Sequence, residues 1–198
     1  MKFMYICLEG IDGSGKSTQI ELLEKWLKEM GHTVEKVVEP TSSPVGILIR
    51  EMLQEPQATD SHFQKVLALL FAADRMLLMD KIQQEESQNK IIISDRCFYS
   101  SMVYQSPSSW INEINKYIRK PDLVLLLDID VDTAVSRCQG QDQFEKKSFL
   151  KEVRFKYLEI AKKHDFFVIN ANTGINMVHK NIKKVVAPHL GICDTGIL

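Results

Sequence analysis

A glycine-rich segment near the start of the chain has the residue types and the spacing of a phosphate-binding loop. It reads G-I-D-G-S-G-K-S-T and satisfies the pattern G-x-x-x-x-G-K-[ST]. Glycines let the backbone approach phosphate oxygens, the N–H groups at the following helix start bind them, and the lysine adds positive charge. The segment therefore predicts binding of a nucleoside triphosphate with Mg²⁺, by Gly10, Ile11, Asp12, Gly13, Ser14, Gly15, Lys16, Ser17 and Thr18. The hydroxyl of Ser17 is the expected metal ligand in this loop.

A carboxylate and a guanidinium, Asp95 and Arg96, directly follow the apolar run Ile91–Ser94. Ligands bind at the carboxyl ends of the strands in open parallel sheets, so both side chains are candidates for catalysis. Asp95 is expected to hold Mg²⁺ or its water shell, and Arg96 to stabilise phosphate charge during phosphoryl transfer. No N-K-x-D or D-x-x-G motif follows, although Asn115 and Lys116 begin the first, which argues against a GTPase.

A candidate nucleobase site lies in the long apolar helix predicted over His62–Gln84. Phe71 and Arg75 are four residues apart, so they project from one face of that helix. An aromatic ring can stack on a base, and a nearby guanidinium can donate to a base carbonyl. Two further charged candidates are Glu39, after the second predicted strand, and Arg50, in the next helix.

The elements that must position these residues alternate between short apolar runs and longer stretches with helical periodicity. The predicted strands are Phe3–Leu8, Thr33–Val38, Ile91–Ser94, Leu123–Asp128 and Phe166–Asn170. The predicted helices are Lys16–Met30, Val45–Leu53, His62–Gln84, one from Ala134 onward, Phe149–Lys163 and Ile175–Val186. This alternation predicts an α/β fold of three layers, with a five-stranded parallel sheet flanked by helices, as in P-loop NTPases.

Composition sets limits on the domain organisation and on the partners. The 198 residues are 44% hydrophobic, which fits one domain spanning residues 1–198. The formal charge is -1, so no overall field favours nucleic acid or an anionic membrane. No apolar stretch approaches the roughly 20 residues of a membrane span, and no signal-peptide pattern is present. Four scattered cysteines without metal-ligand spacing suit a reducing compartment, and we expect the cytoplasm.

Taken together, these motifs resemble those of the thymidylate kinase family, from about Lys2 to about Val186. The resemblance rests on several segments that occur in the family's order and at its spacings. They are L-E-G-I-D-G-S-G-K-S-T, E-P-T-S-S-P-V-G-I-L-I-R, L-L-F-A-A-D-R, S-D-R-C-F-Y-S-S-M-V-Y-Q, P-D-L-V-L-L-L-D-I-D and D-Q-F-E. The resemblance implies a P-loop kinase that moves the γ-phosphate of ATP, with Mg²⁺, onto dTMP, and a homodimer through the helix that contains Phe71.

The resemblance also implies roles for individual residues on the acceptor side. Asp12 matches the acid between the acceptor's sugar hydroxyl and the reacting phosphates. Phe71 matches the aromatic residue that stacks on thymine, and Arg75 the arginine that binds the base. The remaining acceptor contacts implied are Glu39, Arg50, Arg96, Ser101, Tyr104 and Gln105, with Tyr104 disfavouring a ribose 2′-hydroxyl. These residues fall in an acceptor-nucleotide region of about 39–105.

On the donor side, the resemblance implies that residues 170–172 flank adenine and that Arg137 belongs to the ATP site. A lid is expected over about 139–147, but it departs from the family pattern. Gln143 stands where many members have arginine, and the P-loop carries Gly13 and Ser14 rather than a catalytic arginine. The nearby cations that could replace it are Arg137, Lys146 and Lys147. A further departure is Cys97, where tyrosine or histidine commonly follows Asp-Arg.

The sequence thus favours phosphorylation of dTMP to dTDP by ATP, with Asp12, Lys16, Asp95 and Arg96 as the catalytic residues and Ser17 and Asp95 as the metal ligands. Three alternatives stay open at this point. The acceptor could be dUMP or another deoxynucleotide, or a deoxynucleoside that lacks the phosphate. A degenerate nucleotide-binding module, whose glutamine-rich lid no longer supports transfer, is the alternative of a different class.

Overall fold

Five parallel strands form one sheet within residues 3–137 and 147–192, which are the residues described by the computed structural model. The sheet order is β2-β3-β1-β4-β5. The strands are β1 Met4–Glu9, β2 Val34–Val38, β3 Ile91–Asp95, β4 Leu123–Asp128 and β5 Phe167–Asn170. The predicted parallel sheet is therefore confirmed.

Helices connect the strands and cover both faces of the sheet. They are α1 Lys16–Glu29, α2 Pro44–Leu53, α3 Ser61–Ser87, α4 Phe98–Tyr104, α5 Ser108–Ile114, α6 Val131–Arg137, α7 Lys147–Lys163 and α8 Ile175–Leu190. No helix in the described part of the chain combines the length and the apolar character needed to cross a membrane.

Two helices, α4 and α5, were not predicted, and α6 begins earlier than the predicted Ala134. Each of the two missed helices has seven residues, and six residues of α4 are buried, so its sequence lacks the polar face that marks an amphipathic helix. The early start of α6 follows from a cap. The carboxylate of Asp130 accepts hydrogen bonds from the backbone N–H groups of Asp132 and Thr133, at 2.9 and 3.1 Å.

The central strands form the middle layer of the core. Every residue of β1 is buried, and so are five of the six residues of β4, as expected when helices cover both sides of a parallel sheet. Leu78 and Ile82 of α3 pack with Tyr5 and Ile92 on one face. The larger apolar cluster, which includes Leu23 and Leu27 of α1, completes the core.

The register of β1 and β3 determines where the candidate catalytic residues lie relative to each other. Leu8 pairs with Asp95, and the N–H of Arg96 donates to the carbonyl oxygen of Leu8 at 3.0 Å. The glycine-rich loop leaves the same end of β1 and leads into α1. Because the strands are parallel, the loop and the Asp95-Arg96 pair share one edge of the sheet.

Candidate active site

The glycine-rich loop holds a lysine folded back over its own backbone. Gly15 takes the left-handed conformation, with φ of 90°, and α1 begins at Lys16. The Lys16 ammonium donates to the carbonyl oxygens of Gly10 and Ile11 at 3.1 and 3.2 Å. Burial, and then the neighbouring Arg96, lower the pKa of Lys16, while Asp12 opposes the shift. The ammonium is thus fixed beside the helix N-terminus that would receive phosphate oxygens.

Gly13 brings the loop into direct contact with α6. A Cβ atom at Gly13 would lie 2.4 Å from the carbonyl oxygen of Ala134, and the φ of Gly13 is 78°. No larger residue fits there without moving one of the two segments. This close packing brings the end of α6 to the cleft, where the Arg137 guanidinium donates to the carbonyl oxygen of Gly13 at 3.4 Å.

Ser17 and Asp95, the two predicted metal ligands, face each other across the loop. The Ser17 hydroxyl donates to a carboxylate oxygen of Asp95 at 3.2 Å. A hydroxyl and a carboxylate beside a phosphate-binding loop are oxygen donors of the kind that Mg²⁺ prefers. The donor set therefore fits a magnesium ion.

Arg96 lies between the loop and the third strand, with a left-handed backbone φ of 69°. One terminal nitrogen, Nη2, forms an ion pair of 2.5 Å with Asp12. The other, Nη1, donates to the carbonyl oxygen of Gly10 at 3.2 Å and to the hydroxyls of Ser100 and Tyr157, each at 3.1 Å. Burial raises the pKa of Asp12, but Arg96 and Lys16 together outweigh it and hold that pKa below the usual value. Asp12 is therefore an ionised carboxylate at neutral pH.

The four predicted catalytic residues share one cleft of about 460 Å³. It is lined by Asp12, Gly13, Gly15, Lys16, Ser17, Thr18, Val38, Glu39, Asp95, Arg96 and Arg137. The cleft therefore contains three basic side chains and three acidic ones. They are Lys16, Arg96 and Arg137, and Asp12, Glu39 and Asp95. A cleft with cations at a helix N-terminus can hold a polyphosphate while its acids hold a metal ion or an acceptor hydroxyl.

A group of mostly buried side chains adjoins this cleft, and we call it the wall. It consists of Arg75, which is 1% exposed, and the residues that contact its guanidinium, namely Glu39, Phe71, Ser101 and Asn115. Its guanidinium donates to the Glu39 carboxylate at 2.5 Å, to the side-chain amide oxygen of Asn115 at 3.1 Å and to the Ser101 hydroxyl at 2.9 Å. The guanidinium carbon lies 5.5 Å from the ring centre of Phe71, so the two side chains share one face, as their spacing predicted. Burial raises the pKa of Glu39 to about 7, although Arg75 opposes the shift.

Arg50 is hydrogen-bonded to the loop between β2 and α2 and does not line the described cleft. Its guanidinium donates to the carbonyl oxygen of Thr41 at 2.7 Å and to that of Pro40. Asp74 holds the same loop from α3, because its carboxylate accepts from the N–H of Thr41 at 2.7 Å and from the Ser43 hydroxyl at 2.6 Å. The loop after Glu39 is thus fixed by charged groups on both sides.

The remaining predicted contacts are spread around the wall. The ring of Tyr104 lies 5.5 Å from the Arg96 guanidinium carbon, at the junction of the cleft and the wall. The side-chain amide of Gln105 donates to the carbonyl oxygen of Gln64 at 3.4 Å. Asn172 accepts from the N–H of Asp130 at 2.9 Å and does not line the cleft.

Several residues of this site were missed or misread in the sequence. Glu9 ends a strand that reads as plain core, yet its carboxylate accepts from the Ser100 and Tyr157 hydroxyls that contact Arg96. Its only signal in the sequence was a charge next to the glycine-rich loop. Asn115 begins an incomplete guanine-binding motif in the sequence, whereas in the structure its side-chain oxygen accepts a hydrogen bond from Arg75. Asp74 precedes Arg75, and Tyr157 lies far along the chain. In each case the partner is distant in sequence, so a local pattern could not reveal the contact.

The predicted lid, residues 139–147, lies almost wholly outside the described residues, including Gln143 and Lys146. Lys147 begins α7 and forms an ion pair with Asp132 of α6. Of the three cations considered for the lid, Arg137 lines the described cleft and Lys147 does not.

Comparison with known proteins gives consistent matches over nearly the whole chain. The family model described as thymidylate kinase matches residues 8–182. A probable thymidylate kinase of Methanobrevibacter smithii is 56% identical, over 96% of this chain and 97% of that protein. One from Methanothermobacter thermautotrophicus is 51% identical, over 98% and 100%. The solved thymidylate kinase of Candida albicans superposes with a TM-score of 0.78 at 26% identity, covering 97% of this chain and 94% of that one.

Proposed function

The chain belongs to the thymidylate kinase family, and we propose that it transfers the γ-phosphate of ATP to dTMP, giving dTDP and ADP. The observation that carries the proposal is the convergence of Lys16, Asp95 and Arg96 in one cleft beside the Arg75 wall. One side of this site suits a polyphosphate, and the other suits a base. We further propose a cytoplasmic enzyme.

On the donor side, the glycine-rich loop and Lys16 bind the phosphates of ATP. Backbone N–H groups at the start of α1 receive phosphate oxygens, and the lysine adds a charge held at the loop by two carbonyl oxygens. Ser17 and Asp95 would hold Mg²⁺, which when bound neutralises charge on the β and γ phosphates. Arg137, beside Gly13, completes the charged border of the donor site.

At the point of transfer, Arg96 and Asp12 act as a pair. Arg96 contributes a guanidinium directed into the cleft, and it stabilises charge on the acceptor phosphate and on the transferred group. Asp12 is ionised and pairs with Arg96 at 2.5 Å, so it fixes the direction of that guanidinium and can accept a hydrogen bond from the acceptor's sugar. Transfer then proceeds by in-line positioning and charge neutralisation.

On the acceptor side, Phe71 supplies a ring for the base, and Arg75 supplies a guanidinium already fixed by Glu39 and Ser101. Tyr104 lies where the cleft meets the wall, next to Arg96, and it would contact the acceptor sugar. Gln105 is proposed beside the base. Arg50 would reach the acceptor phosphate after exchanging its bonds to the loop carbonyls.

We also propose that the protein is a homodimer through α3. Three large apolar side chains of that helix are exposed, namely Leu69, Met76 and Leu77 at 53%, 47% and 56%. Exposed apolar side chains on a helix that is otherwise part of the core suit an interface between copies. Sedimentation equilibrium of the protein and of Leu77→Glu measures this directly, and a wild-type monomer at micromolar concentration would contradict it.

The experiment that tests the catalytic proposal is a coupled assay of ADP release with MgATP and four conditions. These are dTMP, dUMP, thymidine and no acceptor. ADP release that depends on dTMP supports the proposal, and faster turnover with dUMP or thymidine would redirect it to another acceptor. ATP binding without acceptor-dependent ADP release would identify a degenerate nucleotide-binding module instead.

A further inference from the structure

Glu9 is a fully buried carboxylate with several donors and no cation among its hydrogen-bond partners in the described residues. It is 0% exposed at the end of β1. One oxygen, Oε1, accepts from the backbone N–H groups of Cys97 and Ser100 at 3.0 and 3.2 Å. The other, Oε2, accepts from the hydroxyls of Ser100 and Tyr157 at 2.7 and 2.9 Å. Burying a polar group is costly unless it is hydrogen-bonded, and these four contacts offset that cost for the Glu9 side chain.

The two hydroxyls that Glu9 binds are the same two that contact Arg96. Ser100 Oγ and Tyr157 OH each lie 3.1 Å from Nη1 of Arg96. A guanidinium can only donate, so both hydroxyls must act as acceptors toward it. The two hydroxyls also lie 2.9 Å from each other, so their two hydrogens are shared between Oε2 of Glu9 and this contact, and neither is directed at Arg96. The hydroxyl lone pairs are thereby left for Arg96.

We propose that Glu9 and Tyr157 are positioning residues for the phosphoryl-transfer arginine: the carboxylate orients the Tyr157 and Ser100 hydroxyls so that they hold Nη1 of Arg96 and leave Nη2 directed at the reacting groups. The inference rests on the proposed function of Arg96. It extends that function to a residue 148 positions from Glu9 in the chain.

Tyr157 also links Arg96 to α7, the helix that follows the lid region. α7 is attached to the sheet at a second point, where Arg154 binds both carboxylate oxygens of Asp128 at 2.6 and 2.9 Å. The position of Tyr157 is therefore determined by a helix anchored to β4. Through this hydroxyl, the placement of α7 determines where the Arg96 guanidinium lies.

The test compares wild type with Tyr157→Phe and Glu9→Gln in steady-state kinetics with MgATP and dTMP. Tyr157→Phe removes one acceptor, and we expect kcat to fall about tenfold, since small displacements of a catalytic group cost up to about 100-fold. Glu9→Gln replaces an acceptor-only group by an amide that can donate, and we expect a larger loss. The Kd for ATP, measured by titration calorimetry, should change less than about twofold, because Lys16 and the loop bind ATP.

A double-mutant cycle separates positioning from general damage. If Tyr157 acts through Arg96, then Arg96→Ala and Arg96→Ala/Tyr157→Phe should have the same kcat. Tyr99→Phe is the matched control, since Tyr99 is a buried tyrosine of α4 that packs on Phe98 and Phe166 and should keep wild-type kcat. Should Glu9→Gln fail to fold, Tyr157→Phe and the cycle still decide.

Three outcomes would overturn the inference while the proposed function stands. They are wild-type kcat in Tyr157→Phe, an equal loss of kcat in the Arg96→Ala background, and an equal loss in Tyr99→Phe. If wild type itself shows no dTMP-dependent ADP release, the proposed function fails, and the role of Glu9 and Tyr157 in it fails as well. The wild-type assay therefore distinguishes the two failures.

Discussion

We divide the proposed site into a phosphate half, formed by the glycine-rich loop, Asp95 and Arg96, and a base half, formed by Phe71, Arg75 and Glu39. The two halves hold their cations in different ways. In the phosphate half, the Arg96 side chain is 17% exposed and that of its partner Asp12 is 40% exposed, while the Lys16 ammonium donates to the backbone carbonyl oxygens of Gly10 and Ile11. In the base half, the side chains of Arg75 and Glu39 are 2% and 4% exposed, and they pair inside the wall. The phosphate half thus keeps positive charge available to an anionic ligand. In the base half, the Arg75 guanidinium is already hydrogen-bonded to Glu39, Asn115 and Ser101 within the protein.

Lys16→Ala should have the largest effect on transfer. The lysine is the charge closest to the loop backbone, and its loss removes a contact worth several kcal/mol at the phosphates, so we expect kcat to fall about 100-fold or more. The coupled assay measures kcat, and circular dichroism checks that the fold is retained. More than about a tenth of wild-type kcat in this variant would contradict the assignment of the phosphate half.

Arg75→Ala should weaken dTMP binding far more than ATP binding, because Arg75 lies in the base half. We expect the Kd for dTMP to rise about 100-fold and that for ATP less than about threefold, since a hydrogen-bonded charged group and its wall are lost. Stability should also fall, by about 3 kcal/mol, because Glu39 loses its buried partner.

Titration calorimetry of both nucleotides and urea unfolding measure these two effects of Arg75→Ala. Arg119→Ala is the matched control, an arginine that binds Asp122 at 2.8 Å on the surface, outside both halves. Equal losses of affinity for dTMP and ATP in Arg75→Ala would place Arg75 outside the acceptor site.

Arg137→Ala tests whether the phosphate half draws a further charge from the end of α6. Cations at a transferred phosphoryl group are worth about 10³ to 10⁵ in related enzymes, so even a partial role should lower kcat at least about tenfold. The Kd for dTMP should stay the same. Lys147→Ala is the matched control, since Lys147 pairs with Asp132 and does not line the described cleft.

The lid substitution Gln143→Arg sharpens the same question. Glutamine donates hydrogen bonds but carries no charge, so arginine should raise kcat if the phosphate half lacks a cation. An unchanged kcat is expected if Arg137 already fills the role. If Arg137, Lys146 and Lys147 can all be neutralised together without loss of kcat, the lid region is not a source of catalytic charge.

Glu39→Gln should have the smallest effect, visible in the pH dependence of stability. Because burial raises the pKa of Glu39 to about 7, the folded state binds its proton more tightly than the unfolded state does. Its stabilising contribution is therefore complete below the unfolded pKa and is lost as the pH rises through about 7. As the pH rises from the unfolded pKa of Glu39 through about 7, the Tm of wild type should fall relative to that of Glu39→Gln. The expected fall is about 2 to 4 °C for each kcal/mol of stability lost. Parallel Tm curves for the two proteins would show that Glu39 does not titrate in this range.

Much of the fold was predictable because its signals are local. The buried strands read as continuous apolar runs, and α1 and α7 showed helical periodicity, so their bounds lie close to those predicted. The short helices α4 and α5 were not predicted, because a helix of seven residues has too few turns to show a periodic pattern. The register that aligns Leu8 with Asp95 could be expected only in outline, from the rule that parallel strands share their carboxyl edge.

The sequence by itself determined the phosphate-binding loop, since its function depends on residue types within nine consecutive positions, Gly10–Thr18. It also identified the Asp95-Arg96 pair and the common face of Phe71 and Arg75. Only the tertiary structure decided what holds these groups. Glu39 reaches Arg75 across 36 positions, and Tyr157 reaches Glu9 across 148. The physical reason is that a buried charge must be matched by partners from any part of the chain, and no local spacing encodes which part supplies them.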